Sequence, residues 1–142
     1  MIFVIDASVA MKWFLRFRPD EADVPQALAL LDQAACGLIQ VAQPPHFYAE
    51  MGAVLARTNP DMAQANLRDL WELDLGITDT PEIYATALTL AARMRHHLFD
   101  TLYHAVALHT PGAVLITADR RYFAKAFPEG HIRLLSEWIL AE

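Results

Sequence analysis

Cysteine, lysine and long apolar runs are scarce in this chain, and each scarcity excludes something. One cysteine, Cys36, stands among 142 residues, so no disulfide forms within the chain, as suits a reducing compartment. It follows Ala34 and Ala35, and that apolar run predicts a buried structural thiol rather than a nucleophile. No apolar run approaches the roughly 20 residues of a membrane span. The hydrophobic start breaks at Asp6, too soon for a secretory signal. The expectation is a cytoplasmic protein with no membrane contact. Lys12 and Lys125 are the only lysines, and the net charge is −6. A bulk nucleic-acid binder is normally basic, although acids gathered around a metal are neutralised locally. No cysteine and histidine cluster occurs at zinc spacing, which argues against zinc. Repeats, low-complexity tracts and linkers are also lacking, so residues 1–142 read as a single domain.

What is present is a strong alternation of strand and helix signals. Hydrophobic residues make up 55% of the chain, enough for a sizeable core. Ile2-Phe3-Val4-Ile5 is an unbroken apolar run ending at Asp6, the mark of a parallel strand covered on both faces. A helix with Val9, Trp13 and Arg16 on one stripe follows, with Ser8 as its predicted N-cap. A second runs over 24–35 and stops at Gly37. Strand signals recur at 38–42, weakly at 73–77, cleanly at 113–116 and again at 132–135. Helices are predicted over 45–58, 61–72, 81–95, 101–109 and 120–125, with Ser136-Glu137-Trp138-Ile139 closing the chain. The 101–109 helix is apolar nearly all round and therefore buried. Arg93, Arg95, His96 and His97 crowd the end of the 81–95 helix, where cations suit the dipole. This alternation predicts an α/β fold with a largely parallel sheet and right-handed crossovers.

Four acids stand out against this pattern. Asp6 and Asp119 each follow a clean buried strand at its carboxyl end, the edge where open α/β sheets bind ligands. Asp100 opens the buried helix. Glu50 lies on the apolar stripe of Phe47, Met51 and Val54, where a carboxylate is costly unless paired or bound to metal. Each has a local explanation as a cap or an ion pair. If the two clean strands are neighbours, one shared site is the more economical cause. Four carboxylates together would repel and some would be protonated. A hard divalent cation, Mg²⁺ or Mn²⁺, resolves this and would polarise a phosphodiester while activating water.

The ordered set Asp6-x-Ser8, Glu50 after an aromatic, Asp100-x-x-Tyr103-x-Ala105 and Thr117-x-Asp119-x-x-x-Phe123 resembles a PIN domain. It looks most like the VapC toxins of type II toxin–antitoxin pairs, and the resemblance covers essentially the whole chain. It implies a three-layer α/β/α fold with a central, mostly parallel sheet of four to five strands and helices on both faces. It implies a metal-dependent ribonuclease silenced by a VapB-like antitoxin, and a homodimer. Asp6, Glu50, Asp100 and Asp119 would be the catalytic and metal-binding acids, with the hydroxyls of Ser8 and Thr117 orienting them. Thr101-Leu102 departs from the small residue that many relatives carry after the aspartate, which touches packing rather than chemistry.

Other readings of the residues remain. A catalytically silent PIN-like interaction module would lack an acid, and all four are here. A haloacid-dehalogenase-type phosphatase would need a second aspartate where Ser8 stands, and a response-regulator receiver an acidic pair after the first strand. For the ribonuclease, Lys12, Arg120 and Arg121, close in sequence to the acids, are the expected RNA contacts. The Trp13-Phe14-Leu15 run predicts an exposed apolar patch on the first helix pair that an antitoxin peptide covers.

Overall fold

The computed structural model describes residues 1–138; Ile139 of the closing segment lies outside them. β1 (Ile2–Ile5), β2 (Gln40–Gln43), β3 (Gly76–Ile77), β4 (Ala113–Thr117) and β5 (Ile132–Leu134) form one sheet in the order β3-β2-β1-β4-β5, with every pairing parallel. The helices are α1 (Ala7–Leu15), α2 (Val24–Ala35), α3 (Phe47–Thr58), α4 (Ala63–Glu72), α5 (Pro81–Met94), α6 (Leu98–His109) and α7 (Arg120–Ala126). Leftward crossovers carry α1 to α4 and rightward ones α5 to α7, so right-handedness places the two sets on opposite faces. α6 packs against β1, β2 and β4 with α5 outside it, while α1 packs against α2 and α3. The result is the expected three-layer arrangement.

β1 and β4 are central and in register over four residue pairs, Ile2 with Ala113 through Ile5 with Ile116. Phe3, Val4 and Ile5 are fully buried, because both faces of a parallel sheet are covered. In α6 every side chain from Thr101 to Ala107 is buried. Thr101 turns its hydroxyl onto the carbonyls of Ala87 and Leu98, so the departure at this position serves the α5–α6 contact. His104, also buried, donates from Nε2 to the Gly130 carbonyl and accepts from the Tyr122 hydroxyl. Burial lowers its pKa, which agrees with a neutral ring.

Three local expectations are corrected. Cys36 is exposed: it is the C-cap of α2, off the buried stripe of Ala27 and Leu30. The third strand is only Gly76–Ile77, because Leu73 still caps α4 and Asp74 takes a left-handed φ of 53°. A Cβ at Gly76 would meet the Val41 carbonyl oxygen at 3.3 Å, so this edge approaches β2 closely. Trp13 is buried, not exposed. Its indole nitrogen donates to the Ala27 carbonyl at 2.8 Å, since α1 needs a large apolar side chain against α2.

Candidate metal centre

Asp6 and Asp119 lie at the carboxyl ends of the paired strands β1 and β4. The strands are parallel, but the order of the sheet is wound outward from them in both directions: β2 and β3 lie to one side, β5 to the other. This is the topological switch point, where the loops part and leave a crevice. Both acids are N-caps. Asp6 accepts from the Ser8 amide at the start of α1, and Asp119 from the Tyr122 amide at the start of α7.

The four carboxylates share one feature. Asp6 receives its bonds at Oδ2, from the Ser8 amide, the Ser8 hydroxyl and the Thr117 hydroxyl. Asp119 accepts from Tyr122 N at Oδ1, 3.0 Å. Asp100 Oδ2 pairs with His96 Nε2 at 2.8 Å. Glu50 Oε2 accepts from the Tyr103 hydroxyl at 3.2 Å and lies 3.1 Å from His46 Nε2. In each case one oxygen is anchored by the protein, and the other makes no hydrogen bond among the described residues. Two hydroxyls complete the frame. Ser8 Oγ accepts from Ala118 N and Thr117 Oγ1 from Asp119 N, both at 3.0 Å. Their protons are thereby directed at Asp6, and the two strand ends are tied together.

The electrostatics match a concentrated negative centre. Burial pushes the Asp6 carboxyl up to about 7, the Ser8 hydrogen bond opposes this, and the charges of Asp100 and Glu50 add to the rise. Tyr103 and Tyr122 are both raised, by burial first and then by these same acids. Among the described residues no lysine or arginine nitrogen comes within 4.0 Å of the four carboxylates; the nitrogens that do are those of His46 and His96. Ligand atoms of His96, Asp100 and Asp119 lie within 4.8 Å of one another. Carboxylate oxygens, beside an imidazole whose two nitrogens are already bonded to Asp100 and Lys125 and with no thiolate in the group, suit Mg²⁺ or Mn²⁺. The donor set therefore fits a hard divalent cation.

The expected cation positions fare differently. Lys12 is buried, with its ammonium 3.2 Å from Glu21 and 2.8 Å from the Ala22 carbonyl. α1 turns it toward the loop before α2, and it is not free for RNA. Arg120 and Arg121 are exposed. Arg121 lines a cavity beside the acids, together with Arg95, His97 and Lys125, and Arg120 does not. Sequence reasoning missed His96 and His46 as partners of the acids. The signal was there: His46-x-x-x-Glu50 and His96-x-x-x-Asp100 repeat one spacing, the interval at which helical neighbours meet. It also missed Gln43, whose buried side-chain amide bonds both Ile5 N and Ile5 O at 2.8 Å. Backbone pairing of β1 with β2 ends at Phe3 and Val41, and Gln43 bridges the gap next to Asp6.

Of the four acids only Asp100 and Asp119 fall within 4.8 Å of one another in that group among the described residues; Asp6 and Glu50 do not, and Asp6 is linked to Asp100 and Glu50 through charge. A parallel α/β chain with acids at its switch point is the setting of the class. The PIN domain family matches residues 3–128, and the chain belongs to that family. Two solved structures share the fold. VapBC-1 from nontypeable Haemophilus influenzae aligns with a TM-score of 0.64 at 15% identity, covering 96% of this chain and 100% of that one. VapBC2 from Rickettsia felis, bound to a DNA fragment from their promoter, aligns with 0.66 at 16%, covering 98% and 100%. No curated protein matches the chain in sequence. No helix of the described residues is long and apolar enough to cross a membrane.

Proposed function

We propose that this protein is a metal-dependent endoribonuclease and the toxin of a toxin–antitoxin pair. The observation that carries the reading is that four carboxylates are each anchored through one oxygen with the other left free. Asp6, Asp100 and Asp119 would hold Mg²⁺ or Mn²⁺, with Glu50 completing the acidic wall. When bound, the cation supplies Lewis-acid polarisation of a phosphodiester and lowers the pKa of an attacking water. The chain's own part is orientation. Ser8 and Thr117 hold Asp6 Oδ2, Tyr122 N holds Asp119, and His96 holds Asp100, so little reorganisation remains when substrate arrives. In this reading water attacks the phosphorus and the 3′-oxygen leaves, taking a proton, so that one product carries a 5′-phosphate and the other a 3′-hydroxyl.

The partner reading rests on shape. A groove of about 390 Å³ runs between α1, α2 and α4, with Phe14, Leu31 and Leu70 among its walls. Trp13 forms part of its floor rather than an exposed patch. An apolar stretch of a VapB-like antitoxin is the occupant that fits the family likeness. Incubation with structured RNA and Mn²⁺ tests the activity: cleavage that stops on chelation, and in Asp100→Asn, with 5′-phosphate ends, is expected. Cleavage that survives chelation, or cyclic phosphate ends, refutes it.

A further inference from the structure

Beside the acids the chain builds a second, oppositely charged compartment. A cavity of about 300 Å³ is lined by Arg95, His97, Arg121 and Lys125, with Asp100 and Asp119 on the wall shared with the acidic centre. Among the described residues no carboxylate lies within 4.0 Å of Arg95, Arg121 or Lys125. In a chain of net charge −6, three strong cations around one cavity, none in an ion pair among the described residues, are a departure that packing does not explain. Lys125 is instead held by His96: its ammonium lies 3.2 Å from Nδ1, while Nε2 bonds Asp100. The imidazole thus separates lysine from aspartate and keeps the ammonium available. Arg95 follows α5 in a left-handed conformation at φ 51°, a position that favours glycine. Arginine stands there nonetheless, with its side chain on the cavity.

Resting on the ribonuclease reading, we propose that this cavity is a phosphate subsite. It takes a phosphate of the RNA strand neighbouring the one presented to the acids, with Arg95, Arg121 and Lys125 as positioning residues. Once a cation neutralises Asp100 and Asp119, the positive charges are left to the substrate. Phosphate contacts of this kind set register without reading sequence. The phosphate is either internal to the strand or a 5′-terminal monophosphate; the chemistry of capture is the same.

Two measurements test this, the phosphate titration in Mg²⁺, which keeps millimolar phosphate in solution, and the RNA binding in Ca²⁺, with oligonucleotide integrity checked on a gel. The first titrates ¹⁵N-labelled protein with inorganic phosphate and follows the amides of Arg95, Arg121 and Lys125. The second measures anisotropy of labelled deca-uridine, with and without a 5′-phosphate, across a salt series. The proteins are wild type, Arg121→Ala with Lys125→Ala, and Arg68→Ala as a control on the outer helix α4. In wild type, phosphate should shift the cavity amides. The double variant should lose those shifts, bind deca-uridine about tenfold more weakly, and show a salt slope lower by about 0.7. Arg68→Ala should leave both readouts near wild type. A 5′-phosphate that strengthens binding only in wild type assigns the terminal group; equal binding of both oligonucleotides assigns an internal one. RNA binding whose slope and affinity are the same in the double variant overturns the subsite and leaves the ribonuclease reading standing. Phosphate shifts in a protein that binds no RNA overturn both, because the cavity would then serve another anion.

Discussion

Replacing Asp6 with asparagine separates a strained metal centre from a helix cap. The Asp6 carboxyl rises from 3.8 to about 7 on folding, first through burial. Between those values the folded state holds a proton that the unfolded state has released. Stability therefore falls as pH rises from about 4 through 7. At about 1.4 kcal/mol per unit, the penalty at pH 8 is on the order of 4 kcal/mol. Asparagine keeps the shape and caps about as well as aspartate, but carries no charge to bury. Metal-free Asp6→Asn should match wild type near pH 4.5 and exceed it at pH 8. For a chain of this length the gap in melting temperature is on the order of 10 °C. Mn²⁺ at a hundredfold excess over its dissociation constant should raise wild-type stability by about 2.7 kcal/mol, and the variant by much less. Scanning calorimetry of both proteins from pH 4.5 to 8, in chelator and in Mn²⁺, reads all four conditions. Parallel curves across that range, or an equal metal response, would refute the reasoning and leave Asp6 as a cap.

Other perturbations reach the frame around the acids. His96→Ala frees both Asp100 and Lys125 and should weaken Mn²⁺ binding by about 10- to 100-fold; titration calorimetry showing unchanged affinity would remove His96 from the centre. Gln43→Leu leaves Ile5 N and O without partners beside Asp6. At about 1–3 kcal/mol per buried unpaired group, a loss of about 2–6 kcal/mol for the two is expected in urea denaturation, and a loss under about 1 kcal/mol would show that β1 and β2 close up unaided. Phe99 is 62% exposed, one residue before Asp100, and stacks on His46 with centroids 5.3 Å apart. If a base of the substrate stacks there, Phe99→Ala should weaken oligouridine binding by about 1–3 kcal/mol while Phe99→Trp retains it; equal loss in both would deny stacking.

The parts of the fold that were legible before any coordinates are those where local pattern and burial coincide. The runs at 2–5 and 113–116 read as covered strands because both faces are covered, and the all-apolar face of α6 read as buried for the same reason. α2 ends where its C-cap and Gly37 stop it. What was not legible depended on the direction of a single side chain. Lys12 sits six residues from Asp6 in sequence, but its place on α1 turns it into the loop before α2, where Glu21 takes its charge. Trp13-Phe14-Leu15 reads as apolar all round, yet whether the residue facing outward is tryptophan or phenylalanine is decided by α2, which offers the Ala27 carbonyl to the indole. Cys36 shares its apolar neighbours' composition but not their stripe. Distance along the chain is a poor guide once a helix has rotated the side chain away.

The acids were legible for a reason that dissolves the choice between a cap and a catalytic group. Asp6 and Asp119 are both N-caps, and the catalytic role proposed for them makes no competing demand. A cap needs an acceptor at the end of a strand, where the first amides of the next helix point outward. A metal site in an α/β sheet needs a carboxylate at that same edge. One oxygen can satisfy the amide while the other serves the ion, and in Asp119 the capping bond falls on Oδ1 alone. The two demands therefore select the same residue type at the same place. The same division recurs at Asp100 and Glu50, which cap no helix and are anchored by His96 and the Tyr103 hydroxyl instead. Anchoring through one oxygen is thus the property that the four positions hold in common, and capping is only the form it takes where a strand runs into a helix.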